Sequence, residues 1–69
     1  MYIGILTTHY AIYAVGNTED EVKNNIVKGY ENTYPPNERT FTNPTYNDLI
    51  EWFGGGIYAI DPKKGYTHE

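Results

Sequence analysis

The stretch from Thr18 to Tyr34 (TEDEVKNNIVKGYENTY) constrains the fold most, because its pattern predicts an amphipathic helix. Apolar side chains recur every four residues on one stripe, at Val22, Ile26, Tyr30 and Tyr34, with Val27 on its flank. Gly29 lies beside this stripe, where the missing side chain would let a strand approach. Such a helix needs a sheet to cover its apolar face.

Both ends of this helix carry recognisable signals. Thr18 and Glu21 have the spacing of a capping box, in which each side chain binds the other residue's backbone amide. Glu19, Asp20 and Glu21 occupy the first turn, where the helix macrodipole favours acidic groups. Pro35-Pro36 ends the helix near Tyr34, because proline cannot continue it.

Two apolar runs precede the helix, and we interpret residues 2–8 and 10–15 as strands joined by a hairpin at Thr8-His9. Both faces of both strands carry apolar groups. This pattern predicts a sheet that is covered by helices on one side and by something else on the other.

The second half of the chain predicts a short helix over residues 44–53 and a third strand over residues 57–61. The helix would begin either with Pro44 in its first turn or with Thr45 as the cap and Asp48 three residues later. Its apolar stripe contains Tyr46, Leu49, Ile50 and Phe53, and Trp52 lies off that stripe. Gly54 suits a left-handed cap at the helix end.

The order strand, strand, helix, helix, strand predicts one α+β domain over residues 1–69. We expect a three-stranded antiparallel or mixed sheet with strand order 2-1-3 and both helices on one face. Residues 62–69 are polar and are expected to form a flexible tail.

Composition argues against several chemistries. The 69 residues contain nine acidic and five basic side chains, giving a net charge of -4, which disfavours a nucleic-acid surface. Cys and Ser are absent, so disulfides, thiolate metal sites and Ser or Cys nucleophiles are excluded. His9 and His68 are far apart and lack a zinc-ligand spacing. We therefore expect a protein without enzymatic activity, cofactor or metal.

No apolar run approaches the roughly 20 residues of a membrane span, and the first residues lack the basic segment of a signal peptide. A cytoplasmic protein is expected. The abundance of Asn, Ile, Lys and Tyr is typical of AT-rich coding sequences, which favours a phage or mobile-element origin in a low-GC bacterium.

Eight tyrosines and one tryptophan supply the side chains that most often carry interface energy. We predict an interaction face that includes Tyr2, Tyr13, Tyr58 and Trp52. On the uncovered side of the sheet we expect Tyr2, Leu6, Tyr13 and Tyr58, or their neighbours if the register shifts by one. This face, or an edge strand, is expected to form a homodimer, because a 69-residue chain gains much from shared burial.

A glycine run and two lysines suggest a second kind of site. Gly54, Gly55 and Gly56 could form an anion-binding loop, although they follow a helix instead of preceding one. Together with Lys63 and Lys64 they would line a pocket for a nucleotide or similar anion at a subunit interface of a homo-oligomer.

The passage from the second strand into the long helix resembles that of HicB-like antitoxins, in which Gly-Asp-Thr-x-Glu-Glu-Ala joins a hairpin strand to the main helix. Gly16, Thr18, Asp20 and Glu21 match this pattern, whereas Asn17 and Val22 depart from it. The resemblance covers about the first half of the chain, and the family's DNA-binding segment is missing. It implies a non-catalytic protein that sequesters another protein.

Two hypotheses follow from the sequence. The first is a small acidic interaction protein that binds and modulates another protein, as antitoxins and phage-encoded inhibitors do. The alternative is the homo-oligomeric module for a small ligand or nucleotide.

Overall fold

The computed structural model describes residues 1–61, 63 and 64. It contains three strands, β1 (Tyr2–Thr7), β2 (Ala11–Gly16) and β3 (Gly55–Ala59), and two α-helices, α1 (Glu19–Thr33) and α2 (Tyr46–Phe53). A short 3-10 helix at Pro36–Glu38 lies between the two α-helices and was not predicted. The α+β class and the element order are confirmed. Of the tail predicted over residues 62–69, residues 62 and 65–69 lie outside the described part of the chain.

The three strands form one antiparallel sheet in the order β2-β1-β3, as predicted. The hairpin pairs Ile5 with Tyr13, and β3 pairs Gly56 with Ile5 on the other side of β1. β3 begins two residues earlier than the predicted third strand and ends at Ala59. The reason is that Gly55 and Gly56 are paired with β1 instead of forming a loop.

Both α-helices begin at the threonines singled out in the sequence, with different hydrogen bonding. Thr18 Oγ1 accepts the Glu21 amide at 3.2 Å, but the Glu21 carboxylate accepts the amide of Asn17, at 2.5 Å, so the predicted box is shifted by one residue on that side. Thr45 and Asp48 form a complete capping box with bonds of 3.3 and 3.0 Å. α2 therefore begins with Thr45 as its cap, which is the second of the two predicted starts, and not with Pro44 in its first turn.

The core lies between the sheet and the two helices. Its buried hydrophobic residues come from β1, β2 and both helices and belong to one cluster: Leu6, Ile12, Val22, Ile26, Tyr30 and Leu49. Since Leu6 and Ile12 are paired across β1 and β2, they share one face of the sheet. Both helices therefore pack on that same face.

Two glycines let α1 lie close to the sheet. A Cβ at Gly4 on β1 would collide with Cγ1 of Val22, and a Cβ at Gly29 would come within 2.8 Å of Cγ2 of Ile12. Real Cβ contacts are not that short. The predicted close approach of a strand at Gly29 is confirmed.

The connector between the helices is held by one buried tyrosine and one arginine. The Tyr30 hydroxyl accepts the amides of Thr40 and Phe41, at 3.1 and 3.3 Å. Arg39 donates to the carbonyls of Tyr34 and Glu31, at 2.7 and 2.8 Å, near the C-terminal end of α1. The two Arg39 bonds satisfy carbonyls that the helix end leaves without intrahelical partners.

Candidate protein-interaction surfaces

The side of the sheet opposite the helices presents an apolar surface. Strand alternation places eight residues on it: Ile3, Ile5, Thr7, Ala11, Tyr13, Val15, Gly56 and Tyr58. The Thr7 hydroxyl at the end of β1 donates to the Phe53 carbonyl, and we call the other seven residues the open sheet face. None of them belongs to the core cluster or packs against it. Tyr13 and Val15 are 66% and 55% exposed, although both side chains are largely apolar.

The predicted membership of this face is partly wrong. Tyr2 and Leu6 lie on the covered face, where Leu6 is fully buried and Tyr2 packs against the core. Gly4 lies on the same face, and its missing side chain leaves room for Val22 of α1. The helices pack on this side of the sheet. Tyr13 and Tyr58 lie on the open face as predicted, and β1 contributes Ile3 and Ile5, the neighbours of Tyr2 and Leu6. Gly4 is the sequence feature that could have identified the covered face, since a helix can approach the sheet most closely at a residue without a side chain.

The open sheet face has an uneven relief that follows from its register. One cross-strand row runs from Tyr13 through Ile5 to Gly56, and the next runs from Val15 through Ile3 to Tyr58. A Cβ at Gly56 would lie 3.2 Å from the Tyr58 hydroxyl oxygen, so the Tyr58 ring lies along β3 over Gly56. Tyr13 therefore stands out at one edge of the face, while the β3 side is covered by a flat ring.

The fourth predicted interaction residue, Trp52, lies on the other layer of the molecule. It is 67% exposed on α2, which confirms the expectation that it lies off the apolar stripe. Glu51 and Asp48 are exposed on the same helix, and α2 contains no basic residue. We call Phe41, Asp48, Glu51 and Trp52 the Trp52 surface.

Trp52 is supported from beneath by ring contacts that lead into the core. Its ring meets the Phe41 ring edge to face, with centroids 6.2 Å apart and an interplanar angle of 87°. Phe41 contacts Phe53 at 6.4 Å, and Phe53 contacts the buried Tyr30 at 5.8 Å. The exposed indole is thus attached to a packed aromatic cluster.

The structure does not bring together the residues of the alternative ligand site within one chain. Gly54 has a φ of 86° and closes α2, while Gly55 and Gly56 are paired with Leu6 and Ile5 of β1. Lys63 and Lys64 follow the opposite end of β3, in a turn where both backbone amides bind Asp61. The length of β3 separates the glycines from the lysines, so a pocket lined by both would need two chains.

Other features of the surface are structural in character. Burial raises the pKa of Tyr46 above its ordinary value, and Tyr58 and Glu19 add to the effect. The Lys23 ammonium lies 5.8 Å from the centroid of the Tyr46 ring. This contact joins α1 to α2.

Two open grooves flank α1, one beside Gly16 and Asn25 and the other beside Lys23 and Tyr46. Neither contains any of the predicted site residues. Within residues 1–61, 63 and 64, no three His, Asp or Glu side chains are grouped so that they could hold a metal ion.

Comparison of the chain with protein-family models, curated proteins and solved structures gave no match. The resemblance to HicB-like antitoxins therefore stays a prediction. Among the described residues, no helix has the length and apolar character needed to cross a lipid bilayer.

Proposed function

We propose that the chain is a small, acidic, non-enzymatic interaction protein that binds another protein through the Trp52 surface and modulates its activity. The observation that carries this proposal is the 67% exposure of Trp52, the largest side chain in the molecule, whose ring contacts Phe41 of the connector and, through it, a packed aromatic cluster.

An exposed tryptophan held in place is well suited to anchor a partner. Tryptophan is enriched among the residues that dominate binding energies. Because Phe41 packs edge to face with Trp52, and the Phe41 amide donates to the buried Tyr30 hydroxyl, the indole starts from a supported position. Ordering it on binding then costs less conformational entropy than ordering a mobile side chain would.

The charge around Trp52 favours a basic partner. Glu51 and Asp48 give α2 two carboxylates and no compensating cation, and the whole chain has a net charge of -4. Charge of one sign increases the association rate with a partner of opposite sign. We propose a partner that presents Lys or Arg at the contact.

The proposed role is that of an antitoxin-like or phage-encoded inhibitor acting in the cytoplasm. The absence of Ser and Cys and the match at Gly16, Thr18, Asp20 and Glu21 support this reading. The alternative nucleotide-binding module has less support, because the glycine run and the lysines lie at opposite ends of β3.

Affinity capture with matched variants tests the proposal. The tagged chain would be recovered from the cell that encodes it, alongside Trp52→Glu and Tyr10→Glu. Tyr10 is an appropriate control because it is 62% exposed and lies in the hairpin turn, outside α2 and the Trp52 surface.

We expect one protein to be recovered with the wild type and with Tyr10→Glu, and to be lost with Trp52→Glu. The captured protein, purified separately, should bind the wild-type chain directly. Equal recovery with Trp52→Glu, or no direct binding, would contradict the proposal.

A further inference from the structure

We propose that the open sheet face binds a second copy of the same chain, forming a face-to-face homodimer that leaves the Trp52 surface free. The helices lie on the far side of each sheet, so the two sheets can approach to the usual spacing of about 10 Å without helices meeting.

The distribution of charge permits this pairing. A chain with a net charge of -4 repels its own copy at long range. The open sheet face nevertheless contains no charged side chain, and Glu19, Asp20, Glu51 and Asp48 all belong to the helices on the other layer. Pairing through the face therefore desolvates no charge and keeps the acidic groups of the two copies apart.

The relief of the face is self-complementary. A two-fold axis parallel to the strands places β2 of one copy over β3 of the other. Tyr13 and Gly56 lie in the same cross-strand row, on either side of Ile5. Tyr13 of each copy therefore lies over the Tyr58 ring that covers Gly56 in the partner copy, which gives two equivalent aromatic contacts.

The size of the face sets the strength of the dimer. Three strands about 4.8 Å apart and six residues rising about 3.3 Å each cover roughly 300 Å² in projection. A stable interface buries about 800 Å² per partner. The pairing is therefore weak, and monomers and dimers exchange with concentration.

The face is a better interface than the edge of β2. On that edge the Val15 carbonyl already accepts a hydrogen bond from the Asn25 side chain of α1, at 2.9 Å. A helix that contributes a side chain to a sheet edge also obstructs an incoming strand there.

Sedimentation equilibrium of the full chain tests the inference, from roughly 10 µM to 1 mM, a range that includes the affinities expected for a small interface. We expect the average mass to rise with concentration from 7.9 kDa toward twice that value. Tyr13→Glu should weaken association roughly tenfold or more, because it places a charge in each of the two aromatic contacts.

Trp52→Glu is the matched control, because Trp52 and Tyr13 are 67% and 66% exposed on opposite layers. It should associate like the wild type. Val15→Lys, at a residue that is 55% exposed on the same face, provides a second disrupting variant if Tyr13→Glu fails to fold.

A mass of 7.9 kDa at every concentration would overturn the inference. So would association that persists in both folded face variants. Neither result bears on the capture experiment with Trp52→Glu, so the two proposals fail independently.

Discussion

Thr18 and Thr45 each begin a helix, and each hydroxyl replaces a hydrogen bond that the first turn cannot make for itself. Thr18→Ala and Thr45→Ala should each lower the free energy of unfolding by about 1 kcal/mol. Urea denaturation followed by circular dichroism gives the two values. Thr42→Ala, at an exposed residue of the connector, should change stability by less than about 0.5 kcal/mol. If Thr18→Ala and Thr45→Ala lowered the free energy of unfolding no more than Thr42→Ala does, the caps would not stabilise the helices.

Gly4 and Gly56 both lie in strands but face opposite sides of the sheet. Gly4→Ala should cost about 1–3 kcal/mol, because its Cβ collides with Val22 of α1 in the packed core. Gly56→Ala should cost less, since the nearest atom is the Tyr58 hydroxyl oxygen at 3.2 Å, at the end of a side chain that can move.

Denaturation midpoints rank these two variants. If Gly4→Ala lowered the stability by the same amount as Gly56→Ala or by less, α1 would not lie against this side of β1.

At this scale the sequence is most informative where the interaction is local. The caps depend on residues three apart, and both threonines were identified from spacing alone. The Glu21 carboxylate was assigned to Thr18 but binds the Asn17 amide, because the chain entering the helix brings that amide within its reach. Gly4 was not identified, since its role depends on a helix that follows it by some 15 residues in sequence.

The connector between the helices depends on Tyr30 of α1, whose hydroxyl binds two backbone amides while the ring is fully buried. Tyr30→Phe keeps the ring and removes the acceptor from both amides. We expect a loss of about 1–3 kcal/mol, the cost of leaving part-buried polar groups unsatisfied.

Hydrogen exchange distinguishes this from a general loss of packing. The amides of Thr40 and Phe41 should exchange faster in Tyr30→Phe than the loss of global stability explains. The exchange rates of the paired amides of β1 should change only as much as the global stability does. Unchanged exchange at Thr40 and Phe41 would refute the assignment.

Fluorescence of the chain's single tryptophan measures how exposed the outer face of α2 is. Because Trp52 is 67% exposed, its emission should be near that of an indole in water and acrylamide should quench it efficiently. The spectrum should stay the same as concentration rises, since the proposed dimer uses the other layer. A blue-shifted or concentration-dependent emission would show that Trp52 is covered.

Element types were predictable because each has its own period, but the choice of sheet face was not. In β1, Tyr2 and Leu6 alternate with Ile3 and Ile5, so both faces look equally able to enter a core. The structure buries the set that contains Gly4, where the missing side chain leaves room for Val22 of α1. β3 was placed two residues late, because a glycine run ordinarily indicates a loop.

The whole molecule is a two-layer structure with a different aromatic group exposed on each side. Tyr13 stands on the sheet layer and Trp52 on the helix layer, with almost equal exposure. From the sequence, Tyr13 was expected on the uncovered side of the sheet and Trp52 on the second helix, yet both were included in one interaction face. Our two proposals place self-association on the sheet and partner binding on the helices.

The most direct test of this separation is calorimetric titration of the purified captured protein with three chains: wild type, Tyr13→Glu and Trp52→Glu. We expect Trp52→Glu to weaken binding by at least about tenfold, and Tyr13→Glu to bind like the wild type once its monomer concentration is accounted for. Loss of binding in Tyr13→Glu with full binding in Trp52→Glu would contradict the assignment and place the partner on the open sheet face.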